Sequence, residues 1–306
     1  MGRAVVLVSG GAAVTPYTTP EAAAAQGLEA GNTLTAIRRH LLDAGLTVFT
    51  APASLGGEPV VRDAGWQGFD QVPVVLPADV TVNSVGTIDD GGTRLHAFLL
   101  WLAGEYRLDE VDIVAHSMGG LFSRAAIRDG RDGGGPAVRR LITLGTPWTG
   151  SLLGDYIAGD VSLDDAHGDP TTVRILSASD GYARANSQGA AAQVSSRYLT
   201  GPAGWNALQD GVLSGIEVTA VAGDHLAAAA APSSLWPHDG LVARRSALAE
   251  AVPADVLPAR VTAVFPDVHS IFFADLLGLP WDKALTWDPA VLDLLARTLA
   301  PAPDPA

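Results

Sequence analysis

A chain of 306 residues is long enough for one large α/β domain or two small ones, and 48% apolar with 17% charged residues is a globular composition. The formal charge of -14 argues against nucleic acid or an anionic membrane surface as a partner, because either would be repelled. With no cysteine, disulfides, thiolate metal sites and cysteine nucleophiles are excluded.

The chain opens on "MGRAVVLVSGG", in which one positive charge precedes a short apolar run from Ala4 to Val8. That run predicts a strand over 4–9 and is too short for a signal-peptide core. The expectation is a cytoplasmic protein, or a secreted one if a leader preceded it. No run approaches the ~20 apolar residues of a membrane span, so no integral membrane association is expected. A helical pattern follows over 33–45, then a strand over 46–51, a helix over 93–106 and a strand over 111–116. Beyond these come a helix over 120–130 and strands over 139–145, 216–223 and 260–266. Near-continuous apolar strands alternating with helices predict an α/β fold, a mostly parallel sheet with helices on both faces, in one domain over 1–306. Ligands of such sheets bind at the carboxyl ends of the strands, where "SGG", "AHSMGG", "GTPWTG", "GDH" and "PDVH" all fall. From Trp148 to Gly211 the sequence is rich in Gly, Ser, Ala and Asp and predicts no strand. A connection that long is usually functional, and a cap over the strand ends is expected at about 148–211. There is no internal repeat, and low complexity is confined to "LAAAAAP" (226–232) and the tail "PAPDPA".

The turn "VAHSMGG" between the strand over 111–116 and the following helix holds Ser117. A serine hydroxyl is a poor nucleophile unless a base takes its proton and donors steady the oxyanion. A sharp strand-to-helix turn exposes the hydroxyl and aims the backbone N–H of the next residue, Met118, toward the developing charge. Such a turn needs small residues two before and two after the serine, and Ala115 and Gly119 stand there, with Gly120 giving the helix room to pack.

This stretch resembles the nucleophile elbow of the α/β-hydrolase superfamily, with Ala115 where the commonest form has glycine. The layout is most similar to bacterial triacylglycerol lipases and esterases. "VVLVSGG" resembles their first strand and oxyanion turn, "LITLGTPWTGS" the strand after the elbow, and "PHDGLVARRSAL" the acid-bearing loop. The cap and the end of the chain resemble nothing named.

The resemblance implies a catalytic order of serine, acid, histidine. Of seven histidines, His269 alone sits just past the last strand, in "VFPDVHSIFF", and is the expected general base. His116 abuts the serine and cannot swing round to its hydroxyl. Asp224 and Asp239 both lie beyond the same strand, and the resemblance favours Asp239, in "DGLV". The stretch "LVARRSALAEA" after it is expected to form a helix whose N-terminal dipole favours the carboxylate. The oxyanion donors are expected at Met118 and, where the lipases have His-Gly-X, at Gly11, with Gly10 in reserve. In these lipases an acid near Asp224 helps bind calcium, but the second ligand position is Ile271, which offers no oxygen. Asp224, His225 and His238 have no recognised zinc spacing. No metal and no cofactor is expected.

Apolar candidates for an acyl pocket are Trp148, Leu152 with Leu153, Leu241, and Ile271 with Phe272 and Phe273. The expected activity is that of a serine hydrolase cleaving carboxylic esters, on a small-molecule ester or lipid with a substantial apolar part. Acyl transfer and thioester cleavage would use the same residues. A binding protein of the same fold is opposed by the intact Ser, Asp and His. A dinucleotide enzyme is opposed by the missing G-x-G-x-x-G spacing. The oligomeric state is left open.

Overall fold

Strand β1 (Gly2–Val8) alternates between two apolar environments. Ala4, Val6 and Val8 enter one buried cluster, while Val5 and Leu7 enter another on the opposite face. An uninterrupted apolar strand is the result, because neither face meets water. The computed structural model of the chain describes residues 2–14, 20–26, 33–62, 74–185, 190–201, 203–227 and 235–300. The tail "PAPDPA" and most of the alanine run lie outside the described residues.

Five further strands join β1: β2 (Val48–Thr50), β3 (Leu108–His116), β4 (Ala137–Leu144), β5 (Glu217–Gly223) and β6 (Val261–Phe265). Their order is β6-β5-β4-β3-β1-β2, and every neighbouring pair is parallel. Each coincides with a strand expected from the sequence. On one face lie helices α1 (Thr35–Asp43) and α8 (Pro289–Leu299), whose Ile37, Leu41, Val291 and Leu295 pack on Val5, Leu7 and Val114. On the other lie α2 (Ile88–Tyr106) and α3 (Gly119–Gly133), whose Phe98, Leu102, Leu121 and Phe122 pack on Val6, Ile113 and Leu141. Helix α2 starts where Thr87 accepts the N–H of Asp90 at 3.1 Å and Asp89 and Asp90 complement the helix dipole. The sequence is therefore an α/β chain with a parallel sheet covered on both sides.

After β1 the chain moves outward to β2 and returns to the other side of β1 as β3. The order thus reverses between β1 and β3, and a crevice opens there at the carboxyl ends of the strands. Both Gly10 and Ser117 stand at that crevice.

Between β4 and β5 the described residues form no strand. Helices occupy the interval: α4 (Leu152–Ile157), the longer α5 (Pro170–Ala185) and α6 (Ser196–Thr200), with 3-10 turns at Leu163–Ala166 and Trp205–Gln209. Residues 186–189 and 202 of this interval lie outside the described residues. Its two ends meet on Arg124 of α3. The fully buried guanidinium lies over the rings of Trp148 (4.5 Å) and Trp205 (4.8 Å) and donates to Asn206 Oδ1 at 2.9 Å. Burial lowers its pKa to about 9.

Candidate active site

Strand β3 ends at His116 and α3 begins at Gly119, so the chain must reverse within two residues. Ser117 bears the cost of that reversal in a left-handed backbone, φ +56°. Its N–H donates to Leu144 O at 2.9 Å, and its own carbonyl accepts the Thr146 hydroxyl at 2.8 Å. The turn presses against β1: a Cβ at Gly119 would stand 2.5 Å from the Val8 carbonyl oxygen, so no other residue fits there.

His269 follows β6 and is held at three points. Its backbone N–H donates to Asp239 O at 2.7 Å. Its backbone carbonyl accepts the His116 Nε2–H at 2.9 Å. Its ring Nδ1–H donates to Asp239 Oδ2, also at 2.7 Å. That last bond fixes the tautomer and leaves the lone pair on Nε2. Nε2 is buried without a hydrogen-bond partner, and His269 and Ser117 line the same cavity.

Asp239 is fully buried on the loop after β5. Its Oδ1 accepts the N–H groups of Leu241 (2.9 Å) and Val242 (2.7 Å), which leaves Oδ2 for His269. These amides replace the helix dipole expected from "LVARRSALAEA", because only Arg244–Ala247 is helical. Gly145, just past β4, makes room for the pair: a Cβ there would stand 2.9 Å from His269 Nδ1 and 3.0 Å from Asp239 Oδ2. Asp224 faces away and pairs with Arg244 at 3.1 Å.

His116, adjacent to the serine in sequence, turns its ring toward His269. Its ring lies 4.7 Å from that of His269, centroid to centroid. Burial, with the neighbouring His269, pushes its pKa down to about 3, so it remains a neutral donor to the His269 carbonyl.

Ser117, Met118, Gly10, Gly11 and His269 open on a cavity of about 700 Å³. Its walls carry Leu153, Ile175, Ala178 and Val194 from the segment after β4. Facing them are Leu241, Phe272 and Phe273, the last two from helix α7 (Ile271–Leu277). Three of the expected pocket residues are elsewhere. Trp148 is wholly buried against Arg124, with its indole N–H donating to Thr143 Oγ1 at 3.2 Å. Leu152 packs on Leu176 and Leu235, and Ile271 packs on Val268, Ala274 and Ala284. Each of these two leucine and isoleucine positions opens a helix, where the next residue turns by about 100°. Leu153 and Phe272 therefore face the cavity instead. Ile175, Ala178 and Val194 were missed, because nothing in a segment without periodic strands says which side faces the sheet.

Among the described residues no cluster of three or more His, Asp or Glu is arranged to hold a metal ion. None of the described helices is long and apolar enough to cross a membrane.

No protein-family model matches the sequence, and no curated protein matches it either. Solved structures do align with it over nearly its whole length. A Listeria innocua gene product shares 16% identity over 98% of this chain and 95% of that one, with a TM-score of 0.48. A mature Bacillus licheniformis lipase shares 16% over 96% of this chain and 91% of that one, at 0.46. A thioesterase from the prodiginine pathway of Streptomyces coelicolor shares 18% over 97% and 85%, at 0.45. The sheet order with its reversal between β1 and β3 and the helices on both faces make this chain a doubly wound α/β fold, with the strained serine in the turn after β3 at the carboxyl ends of the strands.

Proposed function

We propose that this protein hydrolyses carboxylic esters through an acyl-enzyme on Ser117, with His269 as general base and Asp239 as the acid that orients it. The observation that carries this is a single cavity joining a strained serine to an imidazole whose Nδ1–H is held by a buried carboxylate at 2.7 Å. His269 Nε2 takes the Ser117 proton as Oγ attacks the ester carbon. The backbone N–H groups of Met118 and Gly11 receive the oxyanion. His269 then passes that proton to the leaving alkoxide oxygen, and the acyl group stays on Oγ. Water repeats the sequence in reverse, releasing the acid and restoring the serine. The free site lacks the serine–imidazole hydrogen bond, which commonly tightens only once substrate is bound.

The apolar walls suit an uncharged ester with a substantial apolar acyl group. In this scheme the segment 148–211 serves as a cap whose α5 and Val194 set the length of acyl chain accepted. A fluorophosphonate is expected to label Ser117 alone, and Ser117→Ala to abolish labelling and lower turnover by several orders of magnitude with Tm nearly unchanged. A label elsewhere, or none on folded protein, rejects the proposal. Adding an alcohol and analysing products separates hydrolysis from acyl transfer.

A further inference from the structure

His238 is fully buried beside Asp239, yet takes no part in the chemistry above. Its backbone is paired in both directions with Leu226, at 3.0 Å each way. The ring is committed on both sides. Nδ1 accepts the Gly240 N–H at 3.0 Å, so in the neutral ring the proton sits on Nε2. Nε2–H then donates to Thr172 Oγ1 at 3.1 Å. Burial holds the ring neutral, lowering its pKa to about 4 against the opposing charges of Asp239 and Asp169. Its sequence neighbours in the zinc alternative are engaged elsewhere: Asp224 with Arg244, and His225 Nδ1 with the Pro266 carbonyl.

The two partners of the ring belong to different parts of the site. Gly240 lies in the turn of residues 239–242, where Asp239 Oδ1 is tied down by Leu241 and Val242. Thr172 lies on α5, one turn before Ile175, and Ile175 and Ala178 of the same helix line the cavity. An imidazole is a rigid plane, so its two bonds fix the distance between pocket wall and acid turn.

We propose that His238 is a positioning residue that couples the α5 wall of the acyl pocket to the Asp239 turn. The proposal rests on the ester-hydrolysis function above. On the Nε2 side, the bond to Thr172 holds the wall firm against an acyl chain long enough to reach it. On the Nδ1 side, the bond from Gly240 keeps the Asp239 carboxylate aimed at His269.

The two sides separate experimentally, because a hydrogen bond of ordinary strength corresponds to a change of up to about tenfold. Kinetics on nitrophenyl acetate and nitrophenyl octanoate are measured for wild type, Thr172→Val, Thr172→Ser and His238→Gln, with Tm for each. Thr172→Val strands the Nε2–H, and is expected to raise KM for the octanoate about tenfold more than for the acetate. Thr172→Ser restores the hydroxyl and should return KM toward wild type. Gln at 238 reaches Thr172 with its amide N–H but has no acceptor at the position of Nδ1 for the Gly240 N–H, so kcat should fall about tenfold or more on both esters. A serine variant no better than the valine variant overturns the proposal. So does a KM change equal for both esters, or a lowered Tm with unchanged kcat in His238→Gln. If wild type turns over neither ester and no fluorophosphonate reaches Ser117, the hydrolase function itself falls and this inference with it.

Discussion

At the scale of single residues, the orientation of His269 rests on Asp239 twice and on His116 once. Asparagine at 239 would present an amide of nearly the same shape, but its N–H toward the ring would force the proton onto the wrong imidazole nitrogen. In an analogous serine protease that change costs about 10⁴ in turnover. Asp239→Asn is accordingly expected to lower kcat by about 10⁴ with a small change in stability. Asp224 spends its carboxylate on a partly exposed ion pair with Arg244, of the kind worth about 0–1 kcal/mol. Asp224→Asn should leave kcat within a few-fold of wild type. Steady-state kinetics on both variants check the assignment, and the reverse ranking would mean that Asp224 is the acid.

At the scale of elements, the described residues between β4 and β5 form no strand, and tethers hold them. Arg124 gathers its two ends, Ser246 Oγ accepts the Thr149 N–H at 3.1 Å, and Leu152 N–H donates to Leu241 O at 2.9 Å. The last ties it to the Asp239 turn, and the one before to the short helix Arg244–Ala247 that follows. Helix α5 contributes Ile175 and Ala178 to the wall of the cavity on which Ser117 opens. Phenylalanine at 178 would add a ring to a space that long acyl chains must share. The ratio of kcat/KM for nitrophenyl octanoate to that for nitrophenyl acetate should fall about tenfold in Ala178→Phe, since one to three kcal/mol is the usual worth of such pocket contacts. An unchanged ratio would put α5 outside the acyl path.

At the scale of the whole molecule, three buried groups give stability opposing dependences on pH. His116 and His238 have folded pKa values of about 3 and about 4, below the ordinary 6.5. The unfolded chain binds their protons first, so their contribution is lost as pH falls below 6.5. Asp267, two residues before His269, behaves in the opposite sense. It is fully buried; burial first, then a hydrogen bond to Asp288 and the charge of that carboxylate, raise its pKa to about 8. The folded state then holds a proton that the unfolded state has released, and stability is lost as pH rises from 3.8 to about 8. An amide at 267 cannot ionise. Asp267→Asn should raise Tm relative to wild type by an increment that grows between pH 5 and pH 8, reaching on the order of several °C, and then levels off. Thermal unfolding at a series of pH values tests this, and a constant difference would show that Asp267 does not titrate in that window.

Local order determined what the sequence could show by itself. The six strands of the sheet, the helices α1, α2 and α3 and the turn around Ser117 are each set by neighbours in the chain: apolar runs, helical spacing and small residues flanking one serine. Those features survive as a one-dimensional pattern. Contacts between distant segments leave no such trace. Nothing in "DGLVARRSAL" says that Leu241 and Val242 amides, and not a helix, hold Asp239. Nothing in "GTPWTGSLL" says that Trp148 turns away to Arg124 while Leu153 faces the cavity. The sequence carried Gly145 only as the small residue ending a strand, and His238 only as a loop histidine in a zinc alternative without recognised spacing. Packing made one the clearance for His269 and Asp239, and the other a bond between loop and helix, because tertiary structure alone decides which distant groups a side chain meets.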